Sequence, residues 1–160
     1  MNKALGAALV FMIMAAACKS APAGETANSG EISEFELLEI YGDYNGIILD
    51  GAREYIVKYG DTLTRIARNW YGEDGAYYFP LIILASRSVI VDPDKITSGQ
   101  RLLIPDLQAN LDDPAARLQL KAMLLDIALV YAGKADATSG DLRIRNRKDR
   151  DGLLMLARSL

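Results

Sequence analysis

Histidine is absent from the 160 residues, and cysteine occurs once, at Cys18. Without imidazole there is no Ser–His nucleophile pair, no histidine general base and no His-ligated metal. A lone thiol forms neither an internal disulfide nor a zinc cluster. Charge of either sign is scarcely in excess: 18 basic residues against 21 acidic ones leave a net charge of −3. A nucleic-acid binder needs a clustered basic face. The one basic cluster, residues 143–150, is interrupted by Asn146 and Asp149 and followed by Asp151. It reads as a solvated helix start and turn, so nucleic acid is not an expected partner. After residue 18 no apolar run is long enough for a bilayer span; the best, residues 122–132, is short and broken by Asp126.

What is present begins with an address. Met1-Asn2-Lys3 is a short positive start, and residues 4–17 are apolar throughout. That length fits the core of a secretory signal and is short for a membrane span. The run ends at Ala15-Ala16-Ala17-Cys18. Small residues before a cysteine resemble the lipobox of bacterial lipoproteins, in which Leu is usual three places before the cysteine, where Ala15 stands here. The resemblance implies cleavage before Cys18 and acylation of its thiol. Residues 1–17 are then a signal peptide. Residues 18–30, rich in Ala, Ser, Pro and Gly, read as a flexible tether. Stretched out, its last twelve residues reach roughly 40 Å. Lys19, not Asp, follows the cysteine, which leans towards an outer membrane where the host has one. The expected location is the bacterial cell envelope, lipid-anchored and facing the periplasm.

Residues 31–52 form a lead-in. Residues 31–41 have helical potential, with Ser33 and Glu36 as a capping box. Tyr44-Asn45-Gly46 marks a turn. Ile47-Ile48-Leu49 is an apolar run expected to pack on the neighbouring unit or on the C-terminal helices. Then Tyr55, Val57 and Tyr59 alternate with Ile56 and Lys58, a strand period. Gly60-Asp61 is a turn, and Asp61 or Thr62 caps a helix. Leu63, Ile66, Ala67 and Trp70 fall at i, i+3, i+4 and i+7, an inward stripe. Gly72 ends that helix. A second helix runs from Tyr77 or Phe79 to Ser86, with Ile82, Ile83 and Ala85 inward. A long loop through Arg87, Asp92, Pro93 and Asp94 leads to the turn at Ser98-Gly99. Leu102 and Ile104 alternate with Arg101 and Leu103 in a second strand, stopped by Pro105. The spacing predicts a β-α-α-β unit.

At these residues the chain resembles the LysM family. The resemblance rests on Tyr-x-Val-x-x-Gly-Asp-Thr-Leu from Tyr55, on Ile66-Ala67 and Tyr71-Gly72, and on Ile-x-x-Gly-Gln-x-Leu-x-Ile-Pro from Ile96 to Pro105. It places a LysM domain at residues 53–106 and implies a two-stranded antiparallel sheet with two helices on one face. It also implies binding of glycans that contain N-acetylglucosamine (GlcNAc), chiefly peptidoglycan or chitin. In the family the sugar lies between two turns. Here these are Gly60, Asp61, Thr62 and Leu63 on one side, and Ser86, Arg87, Ser88, Val89 and Ile90 on the other. Exposed backbone groups and short polar side chains suit an acetamide, and Ile90 can receive its methyl group. Many members carry Asn where Ser86 stands.

Residues 112–160 read as a helical extension. Asp113-Pro114 is a cap followed by proline at the first helical position. That helix should end near Tyr131 or Ala132, at Gly133, and its apolar residues, among them Leu118, Met123, Leu125, Ala128 and Leu129, cover more than one face. A final helix is expected from Lys148 or Asp149 to Arg158. The fold class is thus α+β, a LysM βααβ module followed by a C-terminal helical hairpin. Among the aromatics, Trp70, Tyr71, Tyr77, Tyr78 and Phe79 suit a core, with Tyr77 and Tyr78 the candidates for exposure. Asp92 and Asp94 read as a turn in preference to a calcium site. The adjacent acidic pairs Glu73–Asp74 and Asp112–Asp113 sit at caps or loops, a poor basis for glycosidase chemistry. The expectation is a non-enzymatic protein with no cofactor and no metal. Its partners are peptidoglycan or a related GlcNAc-containing glycan and, through Cys18, the membrane. The alternative is a scaffold in which a degenerate LysM and the tail hold an envelope protein; a small wall hydrolase ranks below both.

Overall fold

The computed structural model describes residues 44–160. The leader, Cys18, the tether and the expected helix at residues 31–41 lie outside the described residues.

Strand β1 (Arg53–Ile56) pairs antiparallel with β2 (Arg101–Ile104), with Tyr55 opposite Leu102 and Arg53 opposite Ile104. The ladder continues beyond both strands: the Val57 N–H donates to the Gln100 carbonyl at 2.9 Å, and the Gly99 N–H to the Val57 carbonyl at 2.8 Å. Val57, Leu102 and Ile104 are buried, as the alternation requires, while Tyr59 stands 97% exposed, past the end of the strand.

Helix α1 (Leu63–Tyr71) starts at Thr62, whose Oγ1 accepts the Arg65 N–H at 3.2 Å. Its buried stripe is Leu63, Ile66 and Ala67. Gly72 stops it at φ +91°, a conformation that costs a residue with a side chain strain. A 3₁₀ turn (Glu73–Tyr78) leads directly into α2 (Phe79–Ala85). Every residue of α2 from Phe79 to Leu84 is buried and Ala85 is half-buried, so the expected inward trio of Ile82, Ile83 and Ala85 is too narrow. The cause lies on its far side, where the tail covers it.

The tail differs most from expectation. A short helix, α3 (Leu107–Asp112), precedes the expected pair; Asp106 caps it, accepting the Ala109 N–H at 2.8 Å. Asp113 caps α4 (Pro114–Ala137) through the Ala116 N–H at 2.8 Å, with Pro114 in the first turn as predicted. This helix does not end at Gly133 but continues to Ala137. Glycine inside a helix costs only about 1 kcal/mol, and packing against the next helix outweighs that. The following helix, α5 (Gly140–Ser159), begins well before Lys148, so the basic run 143–150 is helix interior and not a turn. Helices α4 and α5 form the expected hairpin; α4 packs on α2, and α5 on the 3₁₀ turn.

The core is therefore shared. Phe79, Leu81 and Ile83 from the module join Leu120, Met123, Ile127, Leu153 and Ala157 from the tail in one buried cluster. Gly152 marks the closest approach: a Cβ there would run into the Tyr77 ring. The lead-in also docks on the tail, through Ile47 and Ile48 as expected, whereas Leu49 of the same run is exposed. The fully buried Asn110 takes the Ile48 N–H at 2.8 Å and returns its own Nδ2–H to the Ile48 carbonyl at 2.9 Å. Residues 44–46 are not a turn; the turn falls at Asp50–Gly51. Tyr44 donates to Asp126, and the Gly46 N–H to Gln119 Oε1 at 2.7 Å.

Candidate functional site

The turn after β1 is tightly organised. Asp61 Oδ2 accepts the Lys58 N–H at 2.8 Å and the Tyr55 hydroxyl at 2.7 Å. Burial pushes this carboxyl up, but those two donors and the charges of Arg65 and Lys58 outweigh it and hold the acid below the usual carboxylate range. Asp61 is thus the fastener of the turn, and Thr62 is the helix cap. Gly60 takes φ +80°, and its carbonyl accepts from Arg65 Nη1 at 2.8 Å. The hydroxyls of Thr62 and Thr64 lie 3.1 Å apart on the open side.

The other expected wall, residues 86–90, is not uniformly available. Ser86 is 3% exposed and Ile90 1%, so neither presents its side chain to solvent. Ser86 Oγ is committed to β2: it accepts the Leu103 N–H at 2.8 Å and donates to the Leu103 carbonyl at 3.3 Å. Ile90 is core. Arg87, Ser88 and Val89 are exposed, but Arg87 Nη1 already donates to the Tyr44 carbonyl at 2.9 Å and to Asn45 Oδ1 at 3.1 Å. The Val89 carbonyl accepts from Gln100 Nε2.

A cavity of about 180 Å³ does open against the β1–α1 turn. Asp61, Thr62, Leu63 and Thr64 form one side, with Phe79 behind them. Facing them are Pro93, Asp94 and Ile96, further along the same α2–β2 loop than expected. Tyr131 of α4 and Arg145 and Asp149 of α5 complete the lining. The structure thus brings together the predicted Asp61, Thr62 and Leu63 with residues that no local pattern marked.

The loop wall is pinned from the tail. Lys134 Nζ lies 2.6 Å from Asp94 Oδ2 and 3.4 Å from Asp92 Oδ1, and the Tyr131 hydroxyl donates to Asp94 Oδ1 at 3.1 Å. Burial pushes the Asp92 carboxyl up, yet the Asp94 N–H, Lys134 and Lys95 together hold it below the ordinary range. Asp92 and Asp94 therefore serve an ion-pair network. Among the described residues no group of three or more acidic or cysteine side chains could hold a metal ion, and no helix is long and apolar enough to cross a membrane.

The aromatics divide differently from expectation. Tyr77 and Tyr78 are half-buried, Tyr77 beneath α5 and Tyr78 edge-on to Tyr71 at 6.4 Å. Trp70 is the one that surfaces, at 36% exposure. The Arg53 guanidinium lies 5.7 Å from its ring centre, and Tyr55 meets it edge-on at 6.4 Å. It borders a different depression, between β1 and the start of α3, and has no part in the cleft at Asp61–Thr64.

Comparison with known proteins gives a family match over residues 55–105, to the model described as LysM domain. Two curated proteins named as esterases, from two strains of Mycobacterium tuberculosis, are each 32% identical over 97 residues. The match takes in 56% of this chain but 20% of theirs, so the chain spans about a fifth of the length of these relatives. No solved structure matches significantly. The strand register, the Gly60–Leu63 turn and the family match coincide on one segment: residues 55–105 of this chain are a LysM domain.

Proposed function

We propose that this chain is a lipid-anchored, non-catalytic protein of the bacterial cell envelope that holds peptidoglycan, or a related glycan containing GlcNAc, in the cleft beside Asp61–Thr64. The observation that carries this reading is the cleft itself, an open cavity built on the turn where the resemblance to LysM leads us to expect the sugar. Its rim mixes hydroxyls, carboxylates and small apolar surfaces, the combination that fixes a sugar ring. The affinity of one shallow site is weak. A lipid on Cys18 compensates by keeping wall and module at high effective concentration. Acyl chains add about 0.8 kcal/mol per buried methylene, so more than one chain anchors durably.

The esterase name belongs to relatives of which this chain matches a fifth, and a chain without histidine lacks the base of a Ser–His hydrolase. Sedimentation with insoluble peptidoglycan tests the reading. The protein should enter the pellet and release no soluble muropeptides; recovery in the supernatant would refute glycan binding. Labelled palmitate should be incorporated by the parent and not by Cys18→Ala.

A second reading, an adaptor for an envelope protein, is favoured by a different observation. Leu118, Leu125 and Leu129 lie along the outer side of α4 at 67%, 41% and 70% exposure. Spacings of seven and four residues place them on one stripe. Glycan-independent recovery of one envelope protein, lost in Leu125→Lys or Leu129→Lys, would favour this reading.

A further inference from the structure

The cleft is not made by the LysM domain alone. Its floor and one rim come from the tail: Tyr131 on α4, and Arg145 and Asp149, one turn apart on α5. Tyr131 is buried, and its hydroxyl is used by Asp94. Arg145 and Asp149 are different. Among the described residues neither side chain takes part in a hydrogen bond, although the two attract each other electrostatically. Asp149 is half-buried; burial pushes its carboxyl up and Asp94 adds to this, while Arg145 and Lys148 oppose. An acid held in partial burial without a hydrogen-bond donor is costly to keep charged. A ligand supplying donors relieves that cost.

The charge pattern selects the ligand. Asp61, Asp94 and Asp149 disfavour an anion, and Arg145 disfavours a cation beside them. A neutral polyol, offering hydroxyl donors to carboxylates and acceptors to a guanidinium, suits both. Half-buried Ile96, beside the buried Pro93, supplies apolar surface for the C–H face of a pyranose ring.

We propose that the C-terminal hairpin is part of the sugar site: Arg145 and Asp149 hydrogen-bond the hydroxyl or acetamido groups of a glycan residue seated between them and the Asp61–Thr64 turn. This rests on the glycan reading above, and it makes α5 a determinant of affinity as well as a buttress of the core.

The test is calorimetric titration, with amide chemical-shift mapping, of the full chain in detergent micelles against the soluble N-acetylglucosamine tetramer. Shifts should appear at Thr62 and Thr64 and also at residues 145–149. Asp149→Asn and Arg145→Ala should each weaken binding about tenfold, the effect of losing one charge-assisted hydrogen bond. The Tm of Asp149→Asn should be no lower than that of the parent. If the parent binds and either variant stays within about twofold of it, or if lost affinity tracks a lower Tm, the inference fails and the glycan reading stands. If the parent does not bind, both fail.

Discussion

Ser86 Oγ serves both backbone groups of Leu103, accepting its N–H at 2.8 Å and donating to its carbonyl at 3.3 Å. A two-stranded sheet leaves the outer edge of each strand unpaired. One buried hydroxyl here does for β2 what a third strand would do. Ser86→Ala should therefore lower stability by about 1–3 kcal/mol, the cost of leaving buried backbone groups unsatisfied. Glycan affinity of the folded protein should be nearly unchanged. Urea unfolding paired with glycan titration measures both. Asparagine also has both a donor and an acceptor, so Ser86→Asn should be the milder change.

Lys134→Met tests the network behind the loop wall. Lys134 and Asp92 are both largely buried, with side chains 14% and 12% exposed. Asp92 keeps Lys95 at 3.3 Å and Asp94 is 40% exposed, so the loss should be roughly 1–3 kcal/mol, below the full cost of breaking a buried pair. Chemical denaturation of parent and variant measures the difference.

The same network sets an acid limit. Asp92 titrates below its ordinary value when folded. Its contribution is present above the unfolded carboxylate pKa of about 4 and is lost as pH falls through the lower folded value. Urea unfolding between pH 7 and pH 3 should show this decline, and Lys134→Met should flatten it.

Gly152→Ala drives a methyl group into the Tyr77 ring. Either the ring or α5 must shift, and overpacking of this kind costs about 1–3 kcal/mol. The near-ultraviolet tyrosine signal should change along with Tm.

Truncation after Asp106 removes the cover of α2, whose residues from Phe79 to Leu84 are all buried. A fifty-residue unit so exposed has a marginal core. Thermal unfolding of the truncated chain should lose its cooperative transition.

The module was legible because its signals are local. Thr62 and Asp61 bond through side chains to backbone groups three residues away, and Leu102 and Ile104 alternate as a strand must. The tail was less legible for physical reasons that can be named. Gly133 has the look of a stop, but a mid-helix glycine is a small penalty beside a packed neighbour. The inner stripe of α5 is Asn146, Leu153 and Ala157, and its first member is polar, so the stripe hides among charges. Trp70 closes an apolar stripe yet surfaces, because β1 and Arg53 reach it from only one side. At the cleft, Asp61 to Leu63 were readable from the turn motif. Tyr131, Arg145 and Asp149 were not, since only the folded hairpin brings them to Asp94, 37 residues before Tyr131 in the chain. The commitment of Ser86 to Leu103, 17 residues further on, was hidden because only the packing of α2 on β2 creates it.

Residues 92–96 look like an ordinary surface loop, but Tyr131 and Lys134 hold them against a long helix. A segment fixed in this way has little conformational freedom left to lose when a sugar arrives, which removes an ordering penalty of about 0.5–1.5 kcal/mol for each side chain already in place. It also cannot act as a lid. Hydrogen exchange at Asp94 and Lys95, whose amides bond within the loop to Asp92, should be slower in the parent than in Lys134→Met.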